Sequence, residues 1–518
     1  MDPDRPRAEA VAITGNRILA VGKDEELLEF LAPDGKALDL RGRTVLSGFT
    51  DSHIHLLGYG LRLGQIDLSD SASKEEALNY VAERAKGTAP GRWLQGGGWD
   101  RNEWPDSSFP TRAELDRVAP RNPVTLPSKD GHALWVNSHA LELAEITVDT
   151  PDPEGGEIVR DPATGEPTGI LKERAIELMR QAIPKPDPGE IEQALAQAIS
   201  HLHRVGLTGI HDCEGAEVFT AFQRLASRGE LKLRVLMHIP LENLDSAIQL
   251  GLHTGLGDEL LRIGSVKMFA DGSLGSRTAA MLAPYEDEPG NRGIMVMSDE
   301  ELMAAVGRAC QAGIAPAVHA IGDRATHAVL DAYEVHHSLW AEQGLRPRVE
   351  HAQLLTPEDI PRFGRLDVIA SMQPIHCTAD MKMVDRHWGA RGAGAYAFRG
   401  LLDAGAHLAF GSDCPVEDFN PLAGIHAAVT RRRADGSPGP QGWHPSERIT
   451  VADSVRAYTL GAAYASGEEQ LKGSISPGKL ADLVVLSQDI FAVEPMDILQ
   501  TEVVATIFDG KVVYWLEH

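Results

Sequence analysis

The chain has 518 residues, and 75 aspartates and glutamates outweigh 49 lysines and arginines to give a formal charge of −26. A surface so acidic excludes nucleic acid and anionic membrane as main partners. The length exceeds what one hydrophobic core sustains, the N-terminal "MDPDRPRAEAV" lacks the apolar stretch of a leader, and no segment offers the ~18 uninterrupted apolar residues of a membrane span.

Taken in chain order, "EAVAITGNRILAVG" and "KALDLRGRTVLSG" alternate apolar and polar residues around Gly and Gly-Asn turns and read as short strands. They fill residues 1–47. Next comes "TVLSGFTDSHIH", an apolar segment ending in His53 and His55 and followed by glycines, so residues 48–60 hold the first strand of a larger domain and its turn.

Residues 61–200 are far too long for one strand-to-strand crossover and read as an inserted lid or subdomain, with "PGRWLQGGGWDRNEWP" and "NPVTLPSKDGHALWVNSHAL" inside it. From 201 to 465, apolar runs alternate with helical segments: "HRVGLTGIHDC", "LKLRVLMHIP", "LLRIGSVKMFADG", "AGIAPAVHAIGD", "LRPRVEHAQLL", "LDVIASMQP" and "AGAHLAFGSDCP". Helices fit between them, such as "DEELMAAVGRACQAG" and "GDRATHAVLDAYEVHHSLWAEQG". With the strand before His53 this makes eight strands, the rhythm of a closed α/β barrel of the (β/α)8 type, whose chemistry sits at the C-terminal strand ends. The last segment, 466–518, returns to alternating strands in "KLADLVVLSQD" and "VVATIFDGKVVYWLEH" and completes a small β-sandwich built from both chain termini. Cys213, Cys310, Cys377 and Cys414 lack CxxC spacing, so neither a disulfide framework nor a cysteine zinc site is indicated, and a cytoplasmic location is the simplest reading.

Residues i and i+2 of a strand point the same way, so the imidazoles of His53 and His55 project together. A lone HxH is a weak signal. Here His319 in "AVHAIGD", His351 in "VEHAQ" and Asp413 in "FGSDCP" each stand at the end of a later strand, while alternation in "SVKMFADGS" puts Lys267, Phe269 and Asp271 on one face. Several metal-competent groups at one end of successive barrel strands indicate an active site assembled from strand ends.

These residues resemble the amidohydrolase superfamily of metal-dependent hydrolases, specifically the family 3 branch of YtcJ-like proteins and N-substituted formamide deformylases. The resemblance spans nearly the whole chain, through "GFTDSHIHLLGYG", "GGGWDRNEWP", "KDGHALWVNSHAL", "VKMFADGSLGSRTA", "HAIGDRA", "VEHAQ", "SMQPIHCTAD", "FGSDCPVEDFNPLAGIHAAVTR" and "GSISPGKLADLVVLSQD" in the expected order. It implies His53, His55 and Asp413 around one metal ion, His319 and His351 around a second, and Lys267, carboxylated to N6-carboxylysine, as the bridge. A buried lysine amine that has lost its proton can add carbon dioxide, and the anion so formed spans ions about 3.5–4 Å apart. Two divalent ions are expected, zinc by ligand type. The implied activity is hydrolysis of C–N bonds in amides, N-formyl or N-acyl amines through a metal-bridging hydroxide, with Asp413 as proton shuttle.

His132, Trp99, Asp100, Arg101, Arg277 and His376 are the candidate substrate contacts, although tryptophan-rich stretches are as often core. The expected partner is a small-molecule amide, with a homodimer possible. Two alternatives remain: a mononuclear, D-aminoacylase-like deacylase using Cys213, and a catalytically silent regulator or sensor, against which the complete ligand set speaks.

Overall fold

In the computed structural model, which describes residues 5–516, eight parallel strands form one sheet: β1 (Phe49–Ile54), β2 (Leu207–Asp212), β3 (Arg234–Pro240), β4 (Leu261–Phe269), β5 (Pro316–Ala320), β6 (Arg348–His351), β7 (Ile369–Met372) and β8 (His407–Phe410). They pair in sequence order from β1 to β8. Most of their residues are buried, because a parallel sheet covered by crossover helices is wrapped on both faces; this is why each strand reads as a nearly continuous apolar run. The crossover helices carry their own start signals. Asp299–Gln311 opens on a capping box in which Ser298 and Glu301 satisfy each other's backbone N–H groups.

The run "TVLSGFTDSHIH" holds two strands that belong to different sheets. Thr44–Ser47 pairs antiparallel with Leu483–Leu486 in a separate sheet, and the chain then crosses at Gly48 into β1. Only glycine fits there, since a Cβ would lie 2.3 Å from Thr208 Oγ1. The helical segment expected at 322–344 breaks into Asp323–Val335 and His337–Glu342.

Side chains and loops close the ring between β1 and β8. Asp51 Oδ1 accepts the Ser412 N–H at 3.0 Å and Oδ2 the Ser412 hydroxyl at 2.5 Å. The Asp413 N–H donates to the His53 carbonyl at 2.8 Å, and the His55 N–H to the Cys414 carbonyl at 2.9 Å. At Gly411 the two segments approach so closely that a Cβ would stand 2.5 Å from the His53 nitrogen.

Both chain ends contribute strands outside the barrel. A hairpin, Ala10–Thr14 with Arg17–Gly22, forms one small sheet; Lys511–Trp515, Val503–Phe508, Leu483–Leu486 and Thr44–Ser47 form a four-stranded antiparallel one. Buried Arg234, at the start of β3, joins the bottom of the barrel to this second sheet through a two-pronged pair with Asp482 and a 3.2 Å contact to Asp509.

Residues 60–194 are a compact unit of their own; residues 1–59 and 195–518 make up the other. The inserted unit holds a six-stranded sheet in the order Ile66–Asp67, Leu94–Gly97, Val124–Pro127, Ala133–Val136, Pro167–Glu173, Gly156–Arg160. Its core contains Trp99, Trp104 and Trp135. Among the described residues no helix is long and apolar enough to cross a membrane.

Candidate metal centre

At the C-terminal end of the barrel, one ligand atom each from His53, His55 and Asp413 lie within 4.8 Å of one another, and so do atoms of His351, His376 and Asp413. Asp413 Oδ1 faces His53 Nε2 at 3.6 Å and His55 Nε2 at 3.4 Å, while Oδ2 faces His376 Nε2 at 3.9 Å. His319 packs on His351, with ring centroids 4.5 Å apart, without entering either three-residue group. Register explains the assembly: Phe269 pairs with His319 and Ala320 with His351, so successive strand ends come level.

The imidazoles are oriented by their second nitrogens. His53 Nδ1 donates to Glu350 Oε2 at 2.5 Å, His351 Nδ1 to Gln373 Oε1 at 2.8 Å and His319 Nε2 to the Gly272 carbonyl at 3.0 Å. Each therefore keeps one lone pair free on its other nitrogen, the tautomer that a metal ligand needs. His351 and Asp413 also adopt left-handed backbone angles, φ 71° and 60°, and Ala352 does so at 44°. Such conformations cost energy in non-glycine residues and persist where surrounding structure imposes them, often at functional sites.

Burial governs the charges. Desolvation, reinforced by Lys267, lowers His53 to about 4 and His319 to about 3, and desolvation with His319 and His53 alongside holds His351 well below the usual range. All three are neutral near pH 7. Burial works against an ionised Asp413, but a hydrogen bond from His55 and the imidazoles of His53, His351 and His376 outweigh it and keep the carboxylate charged. Lys267 Nζ is buried with no hydrogen-bond partner and stands 4.8 Å from the centre of the Phe269 ring. Neutral imidazoles with tied second nitrogens, one ionised carboxylate and an orphaned amine are a donor set that suits divalent ions and lacks only their charge.

Beneath the ligands lies a buried network that the sequence reading passed over. Glu350, which takes the His53 proton bond, is clasped by Arg348 through Nε and through Nη2 at 3.1 Å. Arg348 also donates to the Ser52 carbonyl at 2.5 Å, Ser371 Oγ at 2.6 Å and His211 Nδ1 at 2.9 Å. Burial opposes ionisation of Glu350, yet Arg348 and His53 together hold its carboxyl well below the ordinary carboxylate range. The signal was present in "RVEH": two charged residues at alternate positions of a buried strand must find partners inside the barrel.

The other expected site residues are dispersed. Trp99 is buried in the core of the 60–194 unit, stacked on Trp104 with its indole N–H bonded to the Leu126 carbonyl at 2.7 Å, so its place is structural. Asp100 caps Asn102, and Arg101 lies over the Phe109 ring at 4.0 Å and bonds the Ser107 carbonyl. His132 is exposed and bonded to Glu173 at 3.0 Å. Arg277 is paired with Asp287 at 3.1 Å and Glu288 at 3.5 Å. His376, reached from the first turn of Pro374–Ala379 rather than from a strand end, is the one of these six that joins a ligand group. Cys213 is a free thiol that belongs to neither group, and burial pushes its pKa up, away from the thiolate a metal needs.

An eight-stranded parallel barrel with imidazoles and a carboxylate gathered at its strand ends defines a hydrolase that works with a divalent metal. The amidohydrolase family profile matches residues 36–514, and the chain belongs to that family, in its YtcJ-like branch. It is 36% identical over 516 residues to the putative amidohydrolase YtcJ of Bacillus subtilis, covering 98% of this chain and 96% of that protein. It is 31% identical over 523 residues to an N-substituted formamide deformylase of Arthrobacter pascens, covering 98% and 95%. Among solved structures, an uncharacterized metal-dependent hydrolase from Pyrococcus furiosus superimposes with a TM-score of 0.78 at 31% identity, over 93% of this chain and 95% of that one.

Proposed function

We propose that this chain hydrolyses C–N bonds of N-acyl or N-formyl amines at a binuclear centre. The observation that carries the reading is the His53, His55 and Asp413 group with the packed pair of His351 and His319 next to it, set beside a buried lysine amine with no hydrogen-bond partner. A relative named as a formamide deformylase supports the choice of bond. His53, His55 and Asp413 would hold one ion and His319 and His351 the other, zinc by ligand type, with Lys267 between them. When bound, the ions supply positive charge that polarises a carbonyl and eases ionisation of water.

The protein's own part begins with Lys267. Its amine, in the neutral form, would add carbon dioxide, forming an N–C bond and releasing a proton to solvent, and the anion so formed would suit a place between two cations that an ammonium does not. Asp413, ionised and set among His53, His55 and His376, receives the proton of the attacking water and returns it to the leaving nitrogen. His376 Nε2, without a partner and 3.9 Å from Asp413, is free to touch the substrate. The same reading takes the terminal sheets as a sandwich and the 60–194 unit as a lid, and keeps His132, Asp100, Arg101 and Arg277 as candidate substrate contacts. It makes the location cytoplasmic and the partner a small-molecule amide, with a second copy of the chain as the expected assembly.

The test is elemental analysis joined to a screen of N-formyl and N-acyl amines. Close to two transition-metal ions per chain and amine release from at least one class are expected. A single ion that survives Lys267→Ala and disappears with Cys213→Ala would replace this reading with the D-aminoacylase-like one.

A further inference from the structure

Phe269 is the last residue of β4, and it is out of keeping with its neighbours. Lys267 and Met268 are 3% and 0% exposed, yet Phe269 is 46% exposed. It stands over the metal centre, its centroid 4.8 Å from Lys267 Nζ and 5.2 Å from the His319 ring. Val416, 67% exposed, follows Asp413 in the loop after β8 and donates its N–H to the Asp413 carbonyl at 2.9 Å. In a ring of eight strands β4 and β8 stand across from each other, so Phe269 and the loop that carries Val416 leave the barrel on opposite sides of the ligand residues.

We infer that Phe269, faced by Val416, is an apolar wall of the substrate pocket, and that the group carried next to the scissile bond is neutral and apolar. An aromatic ring left half open beside reactive groups is stabilised when a ligand covers it, and flat apolar contact of this kind gives binding energy without directional bonds. The charges nearby point the same way. Arg277, the arginine of the loop that follows β4, is already paired with Asp287 and Glu288, and Lys267 is committed to the metal centre, so neither is free to receive an anionic substituent. The inference rests on the hydrolase reading for the metal centre and adds the class of substrate; it does not depend on which bond is cleaved.

Hydroxamic acids, which seek metal ions directly, give a test that needs no turnover. With metal-loaded full-length protein, affinity should rise by at least about ten-fold from acetohydroxamate to hexanohydroxamate or benzohydroxamate, the range expected for filling an apolar pocket. Succinic monohydroxamate and a 6-aminohexano analogue should show no such gain. Phe269→Ser should abolish the gain while metal content stays at the parent level, and Phe269→Leu should keep most of it. Equal affinities across the parent series, a gain that survives Phe269→Ser, or a charged probe bound best would each overturn the proposal. So would loss of metal in Phe269→Ser, which would make the ring a shield for Lys267. If no N-acyl amine is hydrolysed but the hydroxamate gradient and its loss are seen, the bond assignment falls and the apolar wall stands.

Discussion

Replacing Glu350 by glutamine keeps the shape of the side chain and removes its charge, and the structure indicates what that does. Three contacts change: the 2.5 Å bond from His53 Nδ1 and the two from Arg348. Glu350 and Arg348 are both 0% exposed, so the guanidinium is left buried without its counter-charge. Removing one partner of a buried pair costs about 3–5 kcal/mol, and since the amide still offers one oxygen, a loss near 3 kcal/mol is expected. Losing the group that orients a ligating histidine weakens metal binding about 10–100-fold. The two effects are separable: urea unfolding of the metal-free protein reports the first, and competition with a chelator reports the second. In the double variant Glu350→Gln/Arg348→Met, which removes the stranded charge, much of the stability should return while the metal affinity stays low. If Glu350→Gln binds metal within about two-fold of the parent, Glu350 does not orient His53 and the network is only a filling of the barrel.

Asp413→Asn should retain the fold and much of the metal, because an amide oxygen still coordinates, but lose about 10²–10⁴-fold in kcat with little change in substrate binding; turnover within a few-fold of the parent at full metal would leave Asp413 as a ligand only. Lys267→Ala should be inactive and regain part of its activity with a short-chain carboxylic acid, and mass spectrometry of the gently handled parent should show the mass of one added carbon dioxide; an unmodified lysine in metal-replete, active protein would refute this. Burial lowers His426 to about 4 from its ordinary 6.5, so between those values the unfolded chain binds the extra proton. The stability due to neutral His426 is thus present above pH 6.5 and lost progressively down to pH 4. His426→Gln should flatten that part of the denaturation profile, and an unchanged profile would mean that other buried histidines dominate it.

Much of this was legible in the sequence because parallel strands are covered on both faces, so seven apolar runs from "GLTGIHD" to "AHLAFGSD" announced themselves as strands, and the metal-competent residues at their ends followed. What escaped notice has physical reasons. At Gly48 the chain changes sheet, and the close approach of Thr208 that requires a glycine there is a long-range contact that no local pattern shows. Glu350 stands beside His351 in "VEHAQ", and its meaning depends on Arg348, His53 and barrel closure, which no local pattern encodes. His376, expected only as a substrate contact, reaches the ligand group from the first turn of a helix, outside the strand-end rule used to gather the others. Trp99 shows the reverse error, since an indole in a glycine-rich stretch suits a binding loop and a core equally until its neighbours are known.

The joint between β1 and β8 also has a consequence for how the protein is made. His53 and His55 leave the ribosome far ahead of Asp413, a wait of roughly 20–70 s at synthesis rates of about 5–20 residues per second. Through that interval the Asp51 carboxylate has no Ser412 to hold, and Thr44–Ser47 has no Leu483–Leu486 to pair with. A nascent chain therefore presents an unguarded pair of histidines to whatever ion is at hand, with neither the carboxylate nor the second cluster to discriminate among metals. The residues of the two groups are first held together only after the last strand arrives and the ring shuts.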